Sequence, residues 1–308
     1  MRISKINGTT VTSASVGCDL LIEAVGDIVI DVVEPRPPKA HVPRMCFTWQ
    51  LGVIMFLVGC NSIVVLSIAS WRSIVPCCIV FGLFCSCLMR TQCTHPGLVP
   101  IEWLGDDASA NDVASTPHYT CAKTGRRLPH RSFYMHRTGE AYLFLDHYCL
   151  WLGTPVGLHN RRHFILFLSY GTALCLCGAV VTGAIGLDLY QADATSERPA
   201  SYAVWMTMIS DGLLMSHCFV LALADVLSAG ALGFFAVQHW DLAARNQTSL
   251  FPDEVEYDRG SAVGNLEVVF GPWSWCWVLP LRAGGPIIDG LSWQVPSTEA
   301  IGWKAKAS

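Results

Sequence analysis

Charge is scarce in this sequence. Asp, Glu, Lys and Arg make up 14% of its 308 residues, and 52% are hydrophobic. A soluble domain carries roughly a quarter charged residues. So few charges cannot cover a water-facing surface of this size, which excludes a purely soluble fold and leaves lipid as a second solvent. The net charge of −4 decides nothing by itself, because the charges are unevenly placed. A secretory leader is not expected. Residues 18–34 look apolar but carry Asp19, Glu23, Asp27, Asp31 and Glu34, which a leader does not tolerate. None of the 14 cysteines falls in the two short segments that would face an oxidising compartment, which argues against a disulfide framework.

What is present is a set of long apolar runs. They predict four transmembrane helices, at 46–68, 73–90, 164–187 and 213–236. Eight cysteines lie in these spans (Cys60, Cys77, Cys78, Cys85, Cys87, Cys175, Cys177 and Cys218) and read as small apolar residues. The fourth span carries Asp225, which is costly in lipid and is expected to bond to a neighbouring helix; a proton or ion pathway is the alternative. Four spans leave five segments outside the membrane. All but two of the 20 Lys and Arg, Arg72 and Arg198, fall in the segments 1–44, about 90–162 and about 237–308. That bias puts both termini and the central loop in the cytosol. Within 1–44, the alternation over 18–34 suggests a short strand or a partner-binding segment, and Pro35, Pro37, Pro38 and Pro43 form a stiff linker.

The chemistry concentrates in the central loop, in the run Leu145-Asp146-His147-Tyr148-Cys149-Leu150-Trp151. A thiol is mostly protonated at neutral pH. A neighbouring imidazole can take its proton, and a carboxylate can hold that imidazole in the right tautomer. Asp146, His147 and Cys149 are therefore candidate catalytic residues. Such a tetrapeptide is weak evidence alone.

Its surroundings strengthen it. The stretch from Cys121 to Phe164 resembles the loop of the DHHC family of palmitoyltransferases, without a gap. Pro129, Arg131, Ser132, Asp146, His147, Cys149, Trp151, Val156, Gly157, Asn160 and Phe164 stand at family-type positions, with Tyr148 in place of the second histidine and Pro155 in place of a cysteine. Thr94-His95-Pro96-Gly97 is similar to the Asp-Pro-Gly motif, with His95 for Asp. Asn246-Gln247-Thr248-Ser249 is similar to the start of the Thr-Thr-x-Glu motif, with Phe251 at the Glu position. Tyr257 through Asn265 to Phe270-Gly271 resembles the C-terminal motif, with one extra residue after Gly260.

The resemblance implies an all-α membrane protein of four transmembrane helices, with a cytosolic loop domain (core 119–169) between helices two and three and a cytosolic tail. It implies a protein S-palmitoyltransferase. Cys149 would carry an acyl group from palmitoyl-CoA, or another long-chain acyl-CoA, to membrane-proximal cysteines of substrate proteins. Ser249, Thr248, Tyr257 and Asn265 would support the site, Ser249 contacting Asp146 through its hydroxyl. Arg126, Arg127, Arg131, Arg161 and Arg162 could face the anionic CoA or anionic lipid. Partners would be substrate proteins and membrane lipid, not nucleic acid, at the Golgi, endoplasmic reticulum or plasma membrane.

Family members fold this loop around two zinc ions. At the eight ligand positions this chain has Cys121, Thr124, Tyr134 and Ala141 for one site, and Met135, Thr138, Tyr148 and Pro155 for the other. Only Cys121 could bind, so no metal and no permanently bound cofactor is expected. A site using Cys121 with His118, His130 and His136 is the rival. Two other functions compete: an inactive DHHC-like membrane adaptor, argued from the missing motif residues, and a small transporter, argued from Asp211, His217 and Asp225.

Overall fold

The computed structural model describes residues 4–6, 9–11, 71–101, 103, 118–195, 211–281 and 286–293. The first expected span, 46–68, and the segment 18–34 lie outside them. Two compact units are present, residues 1–39 and 40–308. In the first, β1 (Ser4–Ile6) and β2 (Thr9–Val11) form an antiparallel hairpin, with Ser4 opposite Val11.

The second unit is mostly helical. Among the described residues its long helices are α1 (Trp71–Cys93), α2 (Arg161–Thr195) and α3 (Asp211–Ala244), and each is long and apolar enough to cross a membrane. Their outward residues are apolar, as lipid requires: Val180 is 72% exposed, Leu223 61% and Val237 70%. In α1 the buried residues Phe84, Cys87, Leu88, Thr91 and Gln92 recur at three and four, a single stripe along its second half. That stripe packs on α2, and Phe84 stacks on Phe167 at 5.1 Å. The helices α2 and α3 pair closely. Asp225 of α3 lies against Gly178 of α2, where a Cβ would come within 2.5 Å of the carboxylate, so only glycine lets the acid settle on the neighbouring helix.

The expectation of an all-α chain fails in the loop. Residues 118–156 form three antiparallel hairpins: β3 (His118–Thr120) with β4 (Arg127–Pro129), β5 (Ser132–Met135) with β6 (Glu140–Leu143), and β7 (His147–Cys149) with β8 (Thr154–Val156). Each strand is three or four residues long, too short to make a sheet alone. They are held by docking. The chain leaving α1 lies along β6, Val99 donating to the Ala141 carbonyl at 2.9 Å and Leu143 to that of Gly97 at 3.0 Å. Gly157 sits where a Cβ would meet the Pro96 carbonyl oxygen at 2.7 Å, so a side chain there would push the loop off the end of α1. Asn160, fully buried, donates to the carbonyls of Thr91 and Pro155 and accepts from Gly157 N–H, joining α1, β8 and the start of α2.

After α3 the tail folds back. Its helix α4 (Ala262–Phe270) starts at Ser261, whose hydroxyl caps Gly264 N–H, and ends at Gly271. Phe270 stacks on Trp240 of α3 at 4.9 Å. Phe144, Leu158, Phe164, Tyr257 and Phe270 share one core, so loop, helix ends and tail bury a common apolar interior.

Candidate active site

The site is built on β7. Side chains alternate along a strand, so His147 and Cys149 share one face and Tyr148 the other. The His147 imidazole bonds through Nδ1 to Asp146 Oδ2 at 2.7 Å, and the neighbouring Cys149 side chain also favours its charged form. This is the order thiol, imidazole, carboxylate that activates a nucleophile.

Asp146 is 0% exposed and anchored from three elements. Ser249 N–H donates to its Oδ1 at 2.8 Å, Arg161 of α2 lies 3.8 Å from the same oxygen, and His239 of α3 lies 3.3 Å from Oδ2. Burial by itself would raise the carboxyl pKa. The Arg161 guanidinium, the His147 hydrogen bond and His239 more than offset it and hold Asp146 well below the usual carboxylate range. Burial works the other way on His147, against its charged form. The bonds to Asp146 and Cys149 outweigh that and lift it to about 9.

The supporting residues divide into two groups. Thr248 and Ser249 sit at the turn after α3 beside Asp146. The contact expected of the Ser249 hydroxyl is made by its main chain, and Thr248 Oγ1 caps Phe251 N–H at 3.2 Å. A main-chain donor is indifferent to the Thr-to-Ser difference from the family pattern. Tyr257 and Asn265 lie in a brace. Tyr257 bonds to His130 Nδ1 at 2.6 Å and accepts from Asn246 Nδ2 at 2.8 Å. Asn265 donates to the Ala244 carbonyl and to Asp258, fixing α4 to the end of α3.

Arg131 centres that brace. Its guanidinium lies 4.3 Å from the Phe144 and Trp293 rings and 4.7 Å from Tyr257, pairs with Glu254 at 2.7 Å and donates to the Asn246 carbonyl. Arg131 and Arg161 are fully buried. Both were candidates to face CoA; their charges are committed to Glu254 and Asp146 instead, because a buried guanidinium needs a fixed partner.

His239 was missed. It sits on α3 between buried Ala236 and Ala243 at helical spacing, and its ring stands edge-on to Phe164 at 5.1 Å, as does that of His147 at 4.9 Å. A polar residue in a stripe of buried alanines was the available signal. Asp146, His147 and His239 also offer three ligand atoms within 4.8 Å of one another. The short His147–Asp146 bond is the arrangement that holds an imidazole for proton transfer.

A family model described as DHHC palmitoyltransferase matches residues 114–254, the loop, both following helices and the turn at Ser249. Over these residues the chain carries a DHHC-type domain. It is 25% identical over 260 residues to palmitoyltransferase PFA3 of Yarrowia lipolytica, covering 69% of this chain and 64% of that protein. To a probable protein S-acyltransferase 13 of Arabidopsis thaliana it is 31% identical over 209 residues, covering 61% and 65%. To palmitoyltransferase ZDHHC4 of Mus musculus it is 28% identical over 185 residues, covering 57% and 49%. The chain thus spans just under two thirds of the length of the first two.

In this DHHC-type domain, the zinc positions can be checked against their neighbours. Tyr134 pairs with Ala141, and Tyr148 with Pro155, across the two hairpins. Tyr148 packs on Met135, Tyr142 and Leu145 and donates to the Gly153 carbonyl at 3.0 Å; Thr138 bonds to the Met135 carbonyl. In the rival set, His130 Nδ1 is bonded to Tyr257. These residues do not fit a tetrahedral zinc site, which needs four thiolate or imidazole ligands.

Proposed function

We propose that this chain is a protein S-palmitoyltransferase. Its co-substrate is a long-chain acyl-CoA, and its substrates are cysteines of other proteins near the membrane surface. The observation that carries the reading is the grouping of Cys149 and His147 on β7 with the deeply held Asp146 that precedes them, beside an apolar helix pair.

In the first step His147 takes the Cys149 proton, and the sulfur attacks the thioester carbonyl of the acyl-CoA. CoA leaves as a thiolate and is reprotonated from His147. In the second step a substrate cysteine gives its proton to His147 and attacks the acyl-Cys149 thioester, and Cys149 leaves and is reprotonated. Asp146 keeps the imidazole oriented in both. The aromatic series His147, Phe164, Phe167 and Phe84 leads from the reacting atoms into the bundle and offers an apolar wall for the acyl chain.

Four spans, with 46–68 joining α1, α2 and α3, and cytosolic loop and termini are part of the same proposal, as is residence in an endomembrane or the plasma membrane. Folding needs no zinc in this reading. An inactive adaptor has no chemical need for the Asp146–His147–Cys149 arrangement, and the transporter reading is weakened because Asp225 is settled on Gly178.

The test is labelling with clickable palmitoyl-CoA. Wild type should take up a hydroxylamine-sensitive label, and Cys149→Ser should take up none. Undiminished labelling of the variant, for example at Cys46 or Cys93, would make the protein a substrate rather than an enzyme.

A further inference from the structure

A second site lies away from the reacting groups. The end of α1, the start of α2 and the tail enclose a cavity of about 670 Å³, and its walls carry Arg90, Cys93, His95, His159, Arg162 and His163. Among the described residues, its lining includes neither Asp146, His147 and Cys149 nor any other Asp or Glu. Two arginines and three histidines without a carboxylate make a local positive potential that suits an anion.

Three details point to a ligand. His163 is only 6% exposed, and its Nδ1 has no hydrogen-bond partner among the described residues. A buried polar atom of that kind calls for a partner. The Arg162 guanidinium is fixed by the carbonyls of Phe270, Cys276 and Leu279, so its charge is in place before any ligand arrives. Thirdly, His95 stands where the resembling motif has Asp. Its Nδ1 accepts from Gly97 N–H at 3.0 Å, the bond an Asp carboxylate could make in the same turn. The exchange therefore keeps the turn and removes a negative charge from the cavity. The location completes the picture. Arg90 lies in the last turn of a membrane-type helix, and Met89 and Leu281 give the cavity an apolar border.

We propose that this cavity binds the phosphate group of an anionic membrane lipid, with Arg90 and Arg162 supplying the charge and His163 Nδ1 a hydrogen bond. A phosphate can also come from CoA, so the test must separate the sources. Full-length protein is reconstituted in phosphatidylcholine nanodiscs with phosphatidic acid, and bound lipid is counted by native mass spectrometry. The wild type retains phosphatidic acid, and excess soluble CoA does not displace it. Arg90→Gln weakens retention about fivefold, the effect of one basic residue near an anionic surface. His95→Asp weakens it at least as much while preserving the turn, with circular dichroism confirming that both variants fold. Equal retention by wild type and both variants would overturn the proposal. So would displacement by CoA, which would make the cavity a CoA phosphate subsite. The outcome does not depend on acyl transfer, since neither residue belongs to the reacting set.

Discussion

The two faces of β7 have had different fates. One carries His147 and Cys149, the residues proposed to react, with His147 bonded to Asp146. The other carries Tyr148 at a position the family gives to a metal ligand, packed on Met135, Tyr142 and Leu145. A strand's period of two separates these faces, so one can be rebuilt as apolar core without moving the other. Metal ligation and reaction chemistry share three consecutive residues here and are still independent structural problems. Asp146 shows why the reacting face holds. It is anchored by the Ser249 main chain, Arg161 and His239, all contributed by the helices and tail rather than by the hairpins.

The largest effect should come from breaking the reacting face. Asp146→Asn leaves the imidazole without its orienting carboxylate and places a buried neutral amide beside Arg161. Acyl-enzyme formation should fall about 10³- to 10⁴-fold, read as the initial rate of palmitoyl-CoA labelling. Next is pH. His147 is held at about 9, so at pH 7 its base form is the minor one. The labelling rate should rise about tenfold per pH unit from 7 and level off near 9. A rate that is already flat below pH 7 would break the account of His147 as base.

A third change attacks the brace rather than either face. Arg131→Met takes the guanidinium from among the Phe144, Tyr257 and Trp293 rings and deprives Glu254 of its arginine partner. Glu254 keeps some contact with solvent, so the loss sits at the low end for a broken buried pair, about 3 kcal/mol by denaturant unfolding in detergent. Smallest is Tyr148→His, which reinstates the family residue on the packed face. It forfeits the bond to the Gly153 carbonyl and should lower stability by about 1 kcal/mol, with no zinc taken up and labelling little changed. A large loss of labelling in that variant would mean that the two faces are coupled after all.

The sequence was most legible where one solvent dictates a long pattern. Lipid demands unbroken apolar runs, and the expected spans at 73–90, 164–187 and 213–236 fall on α1, α2 and α3, which extend further at both ends. The residues proposed to react were legible as candidates because they are adjacent in the chain. The hairpins were not, since strands of three or four mixed residues carry no periodicity and exist by docking on α1 and the tail. His239 is far from Asp146 in sequence and reaches it only through the packing of α3. Arg131 and Arg161 read as surface charge because nothing local marks a buried arginine; Glu254 and Asp146, their partners, are supplied by the fold.

The claim that hairpin packing has replaced metal while the chemistry is kept can be tested in one measurement: the rate of hydroxylamine-sensitive acyl labelling at Cys149 after exhaustive chelation, with zinc content determined on the same sample. The account predicts an unchanged rate in protein that carries no zinc. A rate that collapses on chelation and returns with added zinc would contradict it.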